Sequence, residues 1–374
     1  MLNTLTAIKT FSKSIPKNKI STVMYKFNQS NQTSCQVDIN DIDCKTVMIK
    51  GAQSDIDRGW ELLVQIVATI VSDTDSPAPT PVIAEWISRS SSSPYLRSME
   101  TCQGDAIGRF EDGRLFLIGA GALLVDALDW IVRQFGKQEG AIPFFSEPVW
   151  RSNELHKFGY HENSLDLCRI DHFDQGRGHY WQNAACDNIW KSLSGKTIDK
   201  FCTYTTMGTC CRNERSQYYF LERLKVFRMR EIVAAGSPPE VLAFRERALD
   251  FVRTLNDDLQ MNARLEIAND PFFIQDEASV DSVRTKYDIP DLVKIEYRPE
   301  IYDGKSLACA SFNVHGDFFS RNMGYGGSKT WTSCAAFGLE RLAWAVLIQH
   351  GHSHARWPTS VKTAIEAIYA EKQG

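Results

Sequence analysis

The chain has 374 residues, 43% of them hydrophobic and 24% charged, with a formal net charge of -4. That length can bury a sizeable core and favours two domains over one, while the mild negative charge argues against a large nucleic-acid footprint. Ten cysteines with no C-x-x-C pair do not make a disulfide scaffold, and no apolar run is long enough to cross a bilayer. With no secretory h-region, the expected compartment is the reducing cytoplasm, with no membrane partner.

Residues 1–75 read as a small α+β domain. Strand-like stretches lie near 20–28, 34–39 and 45–50, and a helix after Ser54 carries Ile56, Trp60, Leu63, Val64 and Val67 on helical spacing. No heptad pattern runs through it, so a long coiled-coil arm is not expected. The run SDTDSPAPTP, 72–81, marks a linker, and a second domain is expected over 76–374. There, 123–135 has the spacing of a helix with Leu124, Leu128, Ile131 and Phe135 on one stripe. It leads into AIPFFSEPVW, where Pro143 and Pro148 confine a strand to a sheet edge or subunit boundary.

The most informative stretch is 209–231, TCCRNERSQYYFLERLKVFRMRE. As two strands of an antiparallel hairpin, it sorts its side chains by parity. Cys210, Arg212 and Glu214 share one face of the first arm; Arg223, Phe227 and Glu231 share one face of the second. A cation, an acid, an aromatic and a second acid on one face make a poor core and a good nucleotide floor, because a guanidinium forks onto phosphate and an aromatic ring stacks on a base. A solvated edge hairpin is the plainer reading of the same pattern.

SPPE at 237–240 starts a helix: Ser237 caps it, Pro238 fits its first turn, and Glu240 completes a capping box. Val241, Leu242, Leu249, Val252, Leu255 and Leu259 form its apolar stripe, with Arg245, Arg247 and Arg253 on other faces, giving a helical insertion at about 237–265. Strands are expected near 292–298, 306–314 and in FFSRNMGY. The chain ends with the apolar helix AFGLERLAWAVLIQ, with Gly338, Glu340 and Arg341 at its first turn. A helix N-terminus favours phosphate, and Arg341 adds a full charge there.

R-x-E, then R-x-x-x-F-x-x-x-E, then G-x-E-R ahead of an apolar helix together resemble the second and third signature motifs of class II aminoacyl-tRNA synthetases, and the helix-then-strand containing Pro148 resembles their first. DFFSR at 317–321 is similar to the strand before the third motif of seryl-tRNA synthetases. The resemblance implies an antiparallel sheet flanked by helices and a homodimer. It puts Arg212 on the ATP α-phosphate, Phe227 on adenine, Glu214 near the adenine amine, Arg341 on the γ-phosphate and Arg223 in the same ATP site. Cys186 and Cys334, 45 residues before and 103 residues after Glu231, are similar to the zinc ligands of archaeal-type seryl-tRNA synthetases and of their truncated relatives, the amino acid:[carrier protein] ligases. Two thiolates and a carboxylate leave a tetrahedral zinc one vacant position, which an α-amino nitrogen can fill. From spacing alone the two cysteines are as well read as small buried hydrophobes.

Ser311 and Asn313 fall in the amino-acid pocket on this alignment. No acid stands two residues before the pocket serine, which leaves the number of ATP-bound Mg2+ ions open. The expected activity is ATP-dependent loading of a small amino acid, of glycine or alanine type, onto the phosphopantetheine thiol of an acyl or peptidyl carrier protein. Arg245, Arg247 and Arg253 are candidates for docking an acidic carrier, although the acids on the same helix equally suit a solvated face. The alternatives are a seryl-type tRNA ligase and an inactive synthetase-like binding protein. No tRNA partner is expected, given the charge and the missing helical arm.

Overall fold

The computed structural model describes residues 5–11, 15, 36–39, 46–72, 82–86, 106–110, 115–160, 167–170, 178–213, 224–268, 294–302, 305–326 and 330–371. The chain divides into two compact units, Met1–Pro79 and Thr80–Gly374.

In the first unit, strands β1 (Leu5–Thr10), β2 (Gln36–Ile39) and β3 (Thr46–Gly51) form an antiparallel sheet in the order β1-β3-β2. Helix α1 (Gln53–Ser72) follows. Val47 and Ile49, two apart on the central strand, are fully buried with Ile39, Ile56, Leu63 and Val67. Trp60 is half-buried against Phe11, with ring centroids 4.8 Å apart, whereas Val64 is exposed. The strand expected near 20–28 lies outside the described residues. β1 was not anticipated, and the reason is physical: its most apolar described side chain, Ile8, is 67% exposed, so the strand lacks the apolar alternation that announces a buried face.

The second unit is built on a nine-stranded sheet. Its chain order is β4 (Val82–Trp86), the hairpin pair β5 (Ile107–Arg109) and β6 (Leu115–Leu117), α2 (Ala120–Gln138), β7 (Ile142–Pro143), β8 (Val149–Arg151), β9 (Arg169–Ile170), β10 (His179–Trp181) and α3 (Asp187–Ser192). Then come β11 (Cys202–Cys211), β12 (Val226–Gly236), α4 (Pro238–Leu259), β13 (Ala263–Ile267), β14 (Lys294–Tyr302), β15 (Lys305–Ser306), β16 (Ala310–Gly316) and α5 (Phe318–Met323). β17 (Trp331–Gly338), α6 (Leu339–His350) and α7 (Thr359–Glu371) close the unit. The large sheet runs β4-β13-β14-β16-β17-β12-β11-β7, with β15 on β14. All its pairings are antiparallel except the terminal β11–β7 contact. Pro143 thus sits on a sheet edge, where a missing N–H costs no ladder bond.

Strand alternation divides the sheet into two chemically different faces. Ile232 and Ala234 of β12, Ala335 and Phe337 of β17, Phe312 of β16, and Ile295 and Tyr297 of β14 pack with Leu124, Leu128, Phe244, Val252, Leu342 and Trp344 of α2, α4 and α6. The alternate residues point the other way: Val233, Ala235, Cys334 and Ala336 meet Trp150, Phe158, Trp190 and Phe319. Glu231, Ser311, Asn313, Lys294 and Glu296 share that second face by parity. The helical face is sealed hydrocarbon, and the other face carries the polar chemistry.

α4 starts as expected, with Pro at its first turn and Glu240 Oε2 accepting from the Ser237 backbone N–H at 2.9 Å. One residue on it is corrected: Arg245 is only 5% exposed and pairs with Glu246, so it faces the protein interior. FFSRNM is also corrected, from strand to helix. Phe319 and Met323, four apart, bury one face of α5, and the Ser320 hydroxyl donates to Thr330 O.

Candidate active site

Glu231 is 1% exposed in the middle of β12, and its strand neighbour β17 brings Cys334 against Val233 in register. Cys186 caps the N-terminus of α3. The segment before it, 182–185, lies directly on β11. Gln182 O accepts from Cys211 N–H at 2.9 Å, Gln182 Nε2 donates to Thr209 O at 3.0 Å, and Ala185 N–H donates to Glu231 Oε1 at 2.9 Å. Gly208 permits this approach, because a Cβ there would lie 2.7 Å from the Ala185 Cβ.

The outcome is a buried cluster in which one ligand atom each from Cys186, Glu231 and Cys334 lies within 4.8 Å of the others. Asn313 Nδ2 stands 3.2 Å from Cys334 Sγ and also donates to Ser311 Oγ at 3.2 Å. His315 reaches Cys334 Sγ through Nε2 at 3.7 Å and Thr332 Oγ1 through Nδ1 at 3.1 Å, with its ring edge-on to Phe319 and Trp190.

Burial pushes the Glu231 carboxyl up to about 7 and drives the Cys186 thiol well above its ordinary range. The Cys334 thiol is pulled well below its own, chiefly by the hydrogen bond from Cys186. Three closely spaced groups that would each carry negative charge make an unfavourable core unless a cation neutralises them. Glu231 Oε2 is buried with no hydrogen-bond partner. This donor set fits a zinc ion: two soft thiolates, one carboxylate and one position left for a further ligand.

The cluster forms one end of a cavity that opens to solvent. Toward the other end, along β12 and β17, stand Phe227, Arg212 and Arg341. The Arg212 guanidinium carbon lies 5.1 Å from the Phe227 ring centroid, and Arg212 Nη2 donates to Asn183 O at 3.3 Å. Arg341 Nη1 donates to Ala308 O at 3.1 Å from the first turn of α6, whose N-cap is Gly338. Glu340 is held by Arg228, accepting from its backbone N–H and its Nε at 2.9 Å each. Asn313 lines the cavity at the cluster end, against Cys334, with Ser311 beside it.

The residues singled out in the sequence therefore divide into three groups. Cys186, Glu231, Cys334, Arg212, Phe227, Arg341, Ser311 and Asn313 line one cavity. Glu214 and Arg223 lie outside the described residues. Of the docking candidates, Arg245 is buried, Arg247 pairs with Glu139 at 2.7 Å and Arg253 with Asp250 at 2.7 Å. All three have an acid partner, so no bare cationic stripe is presented.

Sequence reasoning missed Asp187, fully buried beside Cys186, its carboxyl pushed up by burial and by Glu231. It also missed Lys294 and Glu296, which line the cavity and pair at 2.9 Å. The period-2 rule carries the last two: they share parity with each other and alternate with the buried Ile295 and Tyr297.

No protein-family model matches the chain. In sequence it is 36% identical over 167 residues to an amino acid–[acyl-carrier-protein] ligase 2 of Bradyrhizobium diazoefficiens, covering 43% of this chain and 47% of that protein. It is 28% identical over 235 residues to the type-2 serine–tRNA ligase of Methanocaldococcus jannaschii, covering 59% of this chain and 44% of that one. The chain thus spans about half the length of the curated relatives it matches. In structure it superposes on the seryl-tRNA synthetase of M. kandleri, solved in complex with A. aeolicus tRNASec. The TM-score is 0.67 at 16% identity, covering 98% of this chain and 78% of that one. No helix among the described residues is long and apolar enough to cross a membrane. The chain thus has the α+β fold of the seryl-tRNA synthetases it superposes on, and over about half its length it is similar in sequence to amino acid–[acyl-carrier-protein] ligases and to type-2 serine–tRNA ligases.

Proposed function

We propose that the protein activates a small amino acid with ATP, forming an aminoacyl-adenylate, and passes the aminoacyl group to the phosphopantetheine thiol of a carrier protein. The observation that carries this reading is the placement of Cys186, Glu231 and Cys334 in the same cavity as Arg212, Phe227 and Arg341.

Cys186, Glu231 and Cys334 would hold zinc, which when bound supplies a Lewis-acid position for the substrate's α-amino nitrogen. Asn313 adds an acceptor at that end, since its Oδ1 is buried with no partner while its Nδ2 is occupied by Cys334 and Ser311. With the amine fixed there, the substrate carboxylate points toward the Arg212 end. Arg212 neutralises the α-phosphate under attack, Phe227 stacks on adenine, and Arg341 with the α6 N-terminus receives the departing pyrophosphate. The carboxylates Glu296 and Glu340 are already paired with Lys294 and Arg228. This supports Mg2+ arriving with the ATP phosphates rather than waiting in a protein cage. In the second half-reaction the thiol attacks the adenylate's carbonyl carbon, and AMP leaves.

The test is pyrophosphate exchange with each amino acid in turn, with and without a zinc chelator, followed by mass analysis of a holo carrier protein. Exchange limited to small amino acids, lost on chelation, and a carrier heavier by one aminoacyl group support the reading. Exchange that ignores chelation removes the zinc role. The similarity to type-2 serine–tRNA ligases supports a second reading, aminoacylation of tRNA. Charging of serine onto tRNA, with no loading of any carrier, would establish that one instead. A homodimer is part of the proposal, and equilibrium sedimentation at twice the chain mass checks it.

A further inference from the structure

Two nitrogen atoms converge on the sulfur of Cys334: Asn313 Nδ2 at 3.2 Å and His315 Nε2 at 3.7 Å. Both belong to β16, which pairs with β17 so that Asn313 lies opposite Cys334. Residues two apart share a strand face, so His315 follows Asn313 toward the same side of the sheet. The ladder slips one step at this point. Val314 pairs with Ser333 and Gly316 with Thr332, which leaves His315 as the extra residue of a β-bulge. A bulge re-aims the side chain it carries, and Gly316 closes it at φ 56°, in the left-handed region that glycine enters without strain.

The imidazole ring is pinned in place. It stands edge-on to Phe319 at 5.0 Å and to Trp190 at 6.0 Å between ring centroids. Its Nδ1 lies 3.1 Å from the hydroxyl of Thr332, which is fully buried. A cysteine that ligates a metal does so as a thiolate and can only accept a hydrogen bond. Nε2 of the neutral ring then carries the hydrogen and donates to Cys334, while Nδ1 accepts from the Thr332 hydroxyl. His315 is not among the residues lining the cavity, so it acts on the site through the sulfur.

We propose that His315 is a positioning residue of the metal site, holding the Cys334 thiolate through Nε2–H while Thr332 fixes its tautomer. This role rests on the proposed reading of Cys186, Glu231 and Cys334 as metal ligands. The hydrogen bond does two things. It fixes the Cys334 side chain in its ligating direction before a metal binds, and it draws charge from the sulfur. A sulfur that gives less to the metal leaves the metal a better acceptor for the substrate's α-amino nitrogen. Outer partners of this kind are worth about 10- to 100-fold in metal affinity.

Cobalt(II), a visible substitute for zinc, is loaded into the full-length metal-free protein, and the sulfur-to-cobalt charge-transfer band is recorded for the wild type and three variants. His315→Phe keeps an aromatic ring against Phe319 and Trp190 but removes the donor. More charge then stays on the sulfur, so the band is expected at lower energy, with zinc affinity about 10- to 100-fold weaker by chelator competition. His315→Gln retains an N–H donor and is expected to return the band toward its wild-type position. Thr332→Val keeps the imidazole and frees its tautomer, and is expected to move the band in the same direction as His315→Phe by a smaller step. A purely structural role for His315 would leave the band of a folded variant in place, and circular dichroism checks folding. A band unmoved in both His315→Phe and Thr332→Val overturns the assignment of His315 while leaving the metal site standing. Should His315→Phe fail to fold, an unmoved band in Thr332→Val alone overturns it. No charge-transfer band in the wild type overturns the metal-ligand reading, and the role of His315 with it.

Discussion

The buried carboxylate of Glu231 makes the stability of the metal-free protein depend on pH in a direction opposite to that of an ordinary salt-bridged acid. Its folded-state value is about 7, against an ordinary 4.5. Between those two values the folded protein holds a proton that the unfolded chain has released. The stabilisation is therefore fully present below pH 4.5 and is lost as pH rises through 7. Each pH unit of difference corresponds to about 1.4 kcal/mol, so the whole span amounts to roughly 3 kcal/mol, an upper figure for so buried a group. Zinc reverses the trend, because it binds the carboxylate form. At free zinc about 100 times its dissociation constant the folded state gains about 2.7 kcal/mol.

Urea unfolding at pH 5, 6, 7 and 8 in a chelator, and again in buffered zinc, measures both effects. Glu231→Gln supplies the control, since an amide does not titrate. The wild type in chelator is expected to lose up to roughly 3 kcal/mol more than the variant between pH 5 and pH 8, and zinc is expected to restore stability at pH 8 in the wild type only. Identical pH slopes in the two proteins, or a zinc effect that survives Glu231→Gln unchanged, would refute the account of this site.

Three further outcomes follow from the same geometry. Arg212→Ala and Arg341→Ala are each expected to slow pyrophosphate exchange by about 100-fold or more while leaving zinc content unchanged, since each removes a preorganised charge from the transferring phosphate. Gly208→Ala forces its Cβ to 2.7 Å from the Ala185 Cβ; the displaced 182–186 segment should weaken zinc affinity, read by competition with a chromophoric chelator. Asp129→Ala leaves Arg230 without the bidentate partner it holds at 2.7 and 2.9 Å. Urea unfolding should show a loss of about 3–5 kcal/mol, recovered in part by pairing it with Arg230→Met.

What the sequence disclosed follows from how far each signal reaches along the chain. The capping box at Ser237 and Glu240 is local, and so is the parity that puts Ser311 and Asn313 on one face; both are visible without a fold. Cys186, Glu231 and Cys334 are not, because their meeting depends on the β12–β17 register and on Gly208 admitting the 182–185 segment. Only the resemblance to a known motif set brought them together beforehand. Arg245 misled by its charge rather than by its position: it stands four residues after Val241 and four before Leu249, on the buried stripe itself, as Asn256 does, and about 200° around the helix from Arg247. FFSRNM misled because a four-residue spacing of two buried side chains is too short to distinguish a helix from a strand. The aromatic packing of Trp190 and Phe319 around His315 has no sequence periodicity at all.

The central claim is that a metal is held by two sulfurs and one carboxylate beside the ATP cavity. X-ray absorption at the zinc edge on the purified wild-type protein tests it most directly. The account predicts about one zinc per chain, with two sulfur scatterers near 2.3 Å and two oxygen or nitrogen scatterers near 2.0–2.2 Å, and one sulfur fewer in Cys334→Ser. A protein that binds no zinc, or a zinc shell containing no sulfur, would contradict it.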